Sequence, residues 1–317
     1  MSIKPAEKFL LSSLKNGLTH SYDVEKKCWV KPYPEATGYL IRYFSEYYDE
    51  IPSEILSAAQ YLCKIQHKRG GYFSFINERH LFTFDTAQIM HGLLSLFKKT
   101  NDMKFLEVAK KCAKFILGMQ INSGAMFPIY DLKFKANYVK KKGGWGTNFS
   151  YIQVKNIEGL LLLYEITYDS QYKKAAEKLK IFGKRNCDLT FTHPGAYCLE
   201  GLFAIGEKDF VYSKLKEEIV PLIQEDGFLP YSKGLSYAYV SGSVQMGILL
   251  YKAGLKEFAY SILKWARKVQ SNHNSGGLFQ YANQDGSLNQ DIHSEINTWG
   301  TKYYAELERY FEENGSI

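Results

Sequence analysis

FDTAQIMHGLLSLFKKTNDMKFLEVAKKCAKFILGMQINSGAMF, residues 84–127, decides how this chain is read. Its first half is an apolar helical run with Gly92 in the middle. Its second half is an amphipathic helix with lysine and glutamate on one face. That helix ends near Gln120 and passes into a turn holding Gly124 and the aromatic Phe127. A buried helix followed by a half-solvated one, closed by a glycine turn, is the unit of a helical repeat.

The unit recurs along the chain. Glycines stand inside six helical segments, at Gly38, Gly92, Gly159, Gly201, Gly247 and Gly300, spaced by 54, 67, 42, 46 and 53 residues. Most lead into apolar runs such as GYLI, GLLSLF, GLLLLY, GLFAI and GILLY. A glycine within a helix costs about 1 kcal/mol relative to alanine, so six at matching places imply close approach of neighbouring helices. The amphipathic helices end near Gln66, Gln120, Gln224 and Gln270, each followed by a glycine and an aromatic residue. The glycine there suits a left-handed helix stop.

The expected order is an outer helix near 5–16, then alternating inner and outer helices. Inner helices are placed near 34–49, 84–99, 150–167, 193–206, 237–253 and 293–312. Outer helices are placed near 52–66, 102–119, 170–185, 208–224 and 255–270. The first and last helices lack partners, and pairing them closes six hairpins into a ring. No Pro/Gly/Ser-rich linker interrupts the series. The reading is an all-α (α/α)6 toroid, a single domain over 1–317.

Composition narrows the function classes. The chain has 317 residues, is 45% hydrophobic and holds only 8 Pro, as a packed helical protein should. No run approaches the ~20 apolar residues of a membrane span. The opening MSIKPAEKFLLSSLKNGL reads as a first helix rather than a signal peptide, so cytoplasmic residence is expected. Cys28, Cys63, Cys112, Cys187 and Cys198 form no CxxC pair and fit free thiols in a reducing compartment. No metal site and no cofactor is expected from them. The net charge of +7 could favour an acidic ligand, although much of it is local, in Lys133, Lys135 and Lys140–Lys142, a run that reads more as a solvated loop than as a binding patch. No nucleic-acid module accompanies the lysines. Oligomeric state is not written in the sequence.

In such a ring the inner helices point one way, and their N-termini gather at one mouth that is mildly favourable to anions. Read backward from each glycine, the inner segments turn from apolar to polar. Lys31 and Glu35 precede Gly38 by seven and three residues, Asp85 precedes Gly92 by seven, and His293 with Asn297 precede Gly300, sharing a helix face. Gln88, Asn148, Tyr151, His193, Tyr239, Ser243, Glu295 and Trp299 join them. Trp29, Tyr33, Tyr72 and Trp145 are further aromatic platforms for a sugar. Structural roles compete. Asp85 with Gln88, and Ser150 with Gln153, resemble capping boxes. Glu35 follows Pro34 at a helix start, where the dipole alone favours an acid. Glu158 and Glu200 directly precede their glycines within apolar runs, and His91 holds the same register; burial would raise their pKa values as a general acid requires, but an inter-helix hydrogen bond to a tyrosine or backbone group is the favoured reading of these glutamates.

Three stretches carry a resemblance: residues 84–120, GGWGTNFSYIQVKNIEGLLLLYEIT, and SEINTWGTKYYAELERYF. They resemble the six-hairpin toroids of carbohydrate-active enzymes: unsaturated glucuronyl hydrolases, N-acylglucosamine 2-epimerases, the helical domain of glucuronyl C5-epimerases and toroid polysaccharide lyases. The likeness spans residues 29–312 as repeat texture. It implies an enzyme acting on an acidic or amino-sugar oligo- or polysaccharide. Hydrolysis needs two carboxylates, for which Asp85 with Glu295 or Glu35 are candidates. Elimination or epimerisation needs a base, Tyr239, His193 or His293, with Asn148 or Lys31 against the developing negative charge. Lys31, Tyr33, Gln88, Trp145, Asn148, Tyr151, Asn297 and Trp299 are the candidate sugar-binding residues. The glutamine–glycine–aromatic turns also resemble terpenoid cyclase repeats, but no DxDD-type motif and no prenyltransferase zinc ligands are present. A non-catalytic glycan- or protein-binding toroid is the other alternative.

Overall fold

Each glycine-centred segment becomes a helix of the inner ring in a computed structural model that describes residues 3–74, 79–139 and 150–313. The inner helices are α2 (Pro34–Tyr47), α4 (Thr83–Thr100), α6 (Ile157–Thr167), α8 (Thr192–Ala204), α10 (Val240–Lys252) and α12 (Thr298–Glu313). The outer helices are α1 (Pro5–Ser12), α3 (Ser53–Ile65), α5 (Met103–Met119), α7 (Ser170–Asn186), α9 (Lys208–Lys214) and α11 (Lys256–Ser271). Each of α2, α4, α6, α8 and α10 packs on the outer helix that follows it, and α12 packs on α1. Around the inside α2 meets α4, α4 meets α6, the start of the α6 segment meets α8, α8 meets α10, α10 meets α12, and α12 returns to α2. The chain therefore forms an (α/α)6 toroid closed by its first and last helices.

Two sets of glycines hold the rings together. Gly38 and Gly92 face each other across α2 and α4: a Cβ at Gly38 would lie 2.7 Å from the Ile89 Cα, and one at Gly92 would strike the Gly38 carbonyl oxygen. The outer ring uses left-handed glycines after its helices. Gly17, Gly70, Gly124, Gly227 and Gly276 have φ between +82° and +91°, a region that favours glycine. They press respectively on Tyr61 of α3, Lys111 of α5, Lys178 of α7, Ser261 of α11 and Pro5 of α1. The last contact closes the outer circle. The glutamines complete these joints. Gln66 Nε2 donates to the Gly70 and Val108 carbonyls at 3.1 Å each, and Gln120 Nε2 donates to Gly124 and Ala175 at 3.3 and 3.0 Å. Gln270 Nε2 donates to Gly276 at 2.7 Å. One side chain thus ties its own turn and, at Gln66 and Gln120, a backbone carbonyl of the next outer helix.

The apolar core fills the space between the two rings. Leu40, Leu93, Leu160, Leu202 and Leu249, one or two residues after a glycine, are buried, each worth about 2 kcal/mol of transfer free energy.

Several expected boundaries move. The helix expected over 293–312 begins at Thr298, because Glu295–Asn297 is a strand paired with Leu18–Asp23 and Leu278–Phe279. His293, Glu295 and Asn297 therefore precede α12, and Glu295 with Trp299 is no helical pair. Lys31 likewise lies in the strand Cys28–Tyr33. The helix expected over 150–167 opens with a tight turn, Tyr151–Asn156, so Gly159 is the third residue of α6. The one expected over 208–224 keeps regular geometry only to Lys214; a wide turn and then a tight one around Pro221 follow, since proline supplies no N–H to continue the helix. The short strands lie on connections at the mouth and lead directly into α2, α4, α10 and α12. They anchor the ends that carry the candidate residues. Among the described residues no helix is long and apolar enough to cross a membrane.

Candidate active site

The first turns of α2 and α4 bring two carboxyl groups together. Tyr33 is the last residue before α2 and Pro34 its first, which leaves Glu35 in the opening turn. Asp85 occupies the first turn of α4 and is buried. Burial and the neighbouring Asp85 charge hold the Glu35 carboxyl well above the ordinary carboxylate range, against the Tyr39 hydroxyl on its other side. The Tyr33 hydroxyl is pushed up to about 12 by burial and then by Glu295, Glu35 and Asp85 in turn. Three carboxyl groups thus act on one phenol. Its ring meets Trp299 edge-on, 5.3 Å between centroids.

The capping-box reading of Asp85 does not hold. Phe82 precedes the helix, Asp85 lies inside it, and Gln88 turns away to donate to Asn156 Oδ1 at 3.3 Å. Asn156 in turn donates to Gln153, so Gln88 belongs to a buried amide ladder. Ser150 does cap its segment, accepting from the Ile152 N–H at 3.3 Å.

Opposite the acids stands an aromatic wall around His193, buried in the first turn of α8. Its ring lies 4.6 Å from both Tyr197 and Tyr239, stacked on the latter. Tyr239 continues to Tyr281 at 4.8 Å and Tyr231 at 5.5 Å. Tyr197 touches Phe84, beside Asp85, at 4.8 Å. Burial pushes the imidazole down to about 3 and the Tyr239 phenol well up, so both are neutral near pH 7. His193 Nδ1 lies 2.6 Å from Gln245 Oε1, while Gln245 Nε2 donates to Glu200 Oε2 at 3.0 Å. Because a carboxylate accepts, the amide must turn its NH2 to Glu200 and its oxygen to the histidine. The network therefore assigns the proton to Nδ1, which makes Nε2 the basic nitrogen.

From Glu200 a chain of charges runs down the axis. Lys155 Nζ, buried, contacts Glu200 at 2.9 Å and Glu158 at 3.0 Å, and Arg42 Nη1 reaches Glu158 at 2.7 Å. The expected inter-helix bonds of Glu158 and Glu200 are present, with charged partners and an amide rather than tyrosine. Burial raises the Glu200 carboxyl despite Lys155. For Glu158, Lys155 and Arg42 outweigh burial and hold it well below the usual range. His91 stands 3.5 Å from Glu158. The chain ends at a cavity of about 480 Å³ at the C-terminal mouth, lined by Arg42, Ser45, Glu46 and Lys252 among others.

The remaining candidates divide. Lys31, His293 and Glu295 line a cavity of about 650 Å³ with Asp23 and Lys26, and His293 Nδ1 is 3.8 Å from Glu295. Tyr151 is half-buried with its hydroxyl raised by burial and then Asp188, and Tyr231 is among its neighbours. Asn297 is a buried helix cap, its Oδ1 accepting from Gly300 N–H at 2.6 Å. Ser243 is buried and donates to the Leu229 carbonyl. Tyr72 is buried and donates to the Leu62 carbonyl. Trp29 packs on Phe9 and Tyr22. Trp145 and Asn148, with Lys140–Lys142, lie outside the described residues. Tyr39, Tyr197 and Gln245 escaped the sequence reading, although Tyr39 and Tyr197 each follow a first-turn polar residue, Glu35 or His193, by four positions.

Comparison with solved structures finds the same fold. Cellobiose 2-epimerase from Bacillus thermoamylovorans B4167 superposes with a TM-score of 0.72 at 15% identity, covering 95% of each chain. Cellobiose 2-epimerase from Spirochaeta thermophila DSM 6192 gives 0.73 at 12% identity, covering 96% of this chain and 93% of its own. A D-mannose isomerase gives 0.70 at 13%, covering 97% and 96%. No family model and no curated protein matches the sequence.

Proposed function

We propose that the chain is a carbohydrate-active enzyme that hydrolyses a glycosidic bond in an acidic oligosaccharide at the α2/α4 mouth, the whole of 1–317 working as one toroidal domain. The observation that carries this reading is the Glu35–Asp85 pair. Two carboxyl groups whose environments differ are what acid-assisted glycoside cleavage requires. Glu35, kept protonated by burial and by Asp85, gives its proton to the leaving-group oxygen. Asp85 acts on the anomeric carbon, directly or through water. Tyr33, Trp299 and Tyr239 supply ring faces, while Lys31 and His293 at the rim suit a carboxylate or sulfate. Fold neighbours bearing the names of sugar epimerases and a glycosidase support the class. The charged axis of Lys155, Glu158 and Glu200 ill suits the apolar lumen that a polyprenyl substrate needs. Five free cysteines fit a reducing cytoplasm.

A second reading rests on His193. A neutral imidazole with Nε2 unprotonated can take a proton from beside a carbonyl or carboxylate once a bound anion raises its pKa from about 3, which is the step of elimination and epimerisation. Incubating the enzyme with uronate-containing oligosaccharides in deuterated water separates the two. Hydrolysis yields products gaining one water across the bond. Deuterium on a sugar carbon, or a new conjugated double bond, would transfer the chemistry to His193.

A further inference from the structure

On the outer wall, between the turn after α3 and the C-terminal half of α5, lies a pocket of about 430 Å³. Its charges have one sign: Lys68, Arg69, Lys111 and Lys114, with no acidic residue in the lining. None of the four has an ion-pair partner among the described residues, whereas Lys110, next in sequence, pairs with Glu107 at 2.9 Å. Four cations around one concavity repel one another unless an anion enters. The Arg69 guanidinium lies 4.5 Å over the Tyr130 ring, an arrangement that steadies it beside an aromatic surface. Asn137 adds an amide at the edge.

Gly118 shows that this space is kept open. The repeat places a residue two positions before each bridging glutamine: Lys64 before Gln66, Lys268 before Gln270, and Gly118 before Gln120. Glycine weakens a helix, and a Cβ here would meet nothing within 4 Å. No packing contact demands the glycine. Its effect is to leave this part of the pocket lining without a side chain.

We infer that this pocket is a remote subsite for a carboxylate- or sulfate-bearing sugar residue of an acidic glycan. Its location supports a glycan over other polyanions. Tyr130 pairs in register with Leu81, four residues before Asp85, so a short sheet joins the pocket to the α4 edge of the mouth. The pocket is the size of a small-molecule site, with a ring and an amide beside its charges. Identifying the ligand as a glycan rests on the proposed reading of the mouth; the anion site does not.

Calorimetric titration of the full-length protein with a galacturonate tetrasaccharide and a heparin-derived tetrasaccharide tests it. The variants are Lys111→Gln/Lys114→Gln, Gly118→Gln and, as a control for loss of two charges on the exposed face of α7, Lys173→Gln/Lys174→Gln, with circular dichroism to check folding. Gly118→Gln fills the pocket without changing charge and favours the helix. Both pocket variants should weaken binding of at least one tetrasaccharide tenfold or more, with Lys173→Gln/Lys174→Gln within twofold of wild type. Binding unchanged in both pocket variants, or weakened equally by Lys173→Gln/Lys174→Gln, overturns the subsite and leaves the mouth reading standing. Binding through the pocket with no turnover of any glycan keeps the subsite and removes the mouth reading. If neither sugar binds the wild-type protein, the glycan assignment falls; binding of single-stranded RNA or phosphatidylserine vesicles through Lys111 and Lys114 would then give the pocket to another polyanion.

Discussion

Gln245 holds His193 from behind: its Oε1 sits 2.6 Å from Nδ1, and its other end is fixed on the Glu200 carboxylate. The orientation of one buried amide therefore decides which imidazole nitrogen faces chemistry. Replacing Gln245 with Met keeps the volume and removes both hydrogen bonds. Leaving polar groups unsatisfied costs about 1–3 kcal/mol, so the thermal midpoint should fall. Nitrogen-15 chemical shifts should show His193 losing its fixed Nδ1–H tautomer. A Gln245→Met protein with an unchanged tautomer would mean that Ser241, whose Oγ lies 3.4 Å from Nδ1, positions the ring.

The same histidine makes the fold acid-sensitive. Burial lowers its pKa from 6.5 to about 3, so the unfolded chain binds a proton that the folded chain refuses. Stability from this group is complete above pH 6.5 and declines as pH falls toward 3, by about 1.4 kcal/mol per pH unit. Urea midpoints measured from pH 7 to pH 4 should decline, and His193→Gln should flatten that slope.

Lys155 neutralises Glu158 and Glu200 at once. Lys155→Met leaves the buried Glu200 without its cation and Glu158 with Arg42 alone. Breaking a buried pair in this way costs about 3–5 kcal/mol. Chemical denaturation should record a loss of that size, and Lys155→Met/Glu200→Gln should recover part of it. A single variant as stable as wild type would show that the axis is well hydrated.

Helix contact through glycine is equally testable. A Cβ at Gly201 would collide with the Val154 carbonyl oxygen, which no rotamer change can relieve. Gly201→Ala should lose about 1–3 kcal/mol, the range for overpacking, despite alanine's better helix propensity. Thermal melts of Gly201→Ala beside Gly206→Ala separate tight approach from backbone strain, since Gly206 has φ +91° and open space around it.

The ring was legible because its signals repeat. Gly38 and Gly92 do approach closely, and Gln66, Gln120 and Gln270 do bridge their turns. The short strands were not legible: with two to six residues each they carry little of the alternation that marks a strand. That is why His293 and Glu295 were placed on a helix they precede. The lysine serving Glu158 stands three residues before it, within reach of a helical reading, whereas Arg42 comes from 116 residues away and only ring closure reveals it. Asn297 and Gln88 had the right polarity and the wrong role, because position along a helix start does not separate a cap or an amide ladder from a wall.

The most direct test follows single turnover of acidic oligosaccharides in oxygen-18 water, for wild type and Glu35→Gln. With wild type, one labelled oxygen should appear on the new reducing end. Removing the acid should cut that rate by a factor of about 10²–10⁴. The thermal midpoint should hold or rise, because the substitution relieves a carboxyl that burial and Asp85 disfavour in its charged form. Glu35→Gln turning over at the wild-type rate, or wild-type products without the label, would contradict hydrolysis by the Glu35–Asp85 pair.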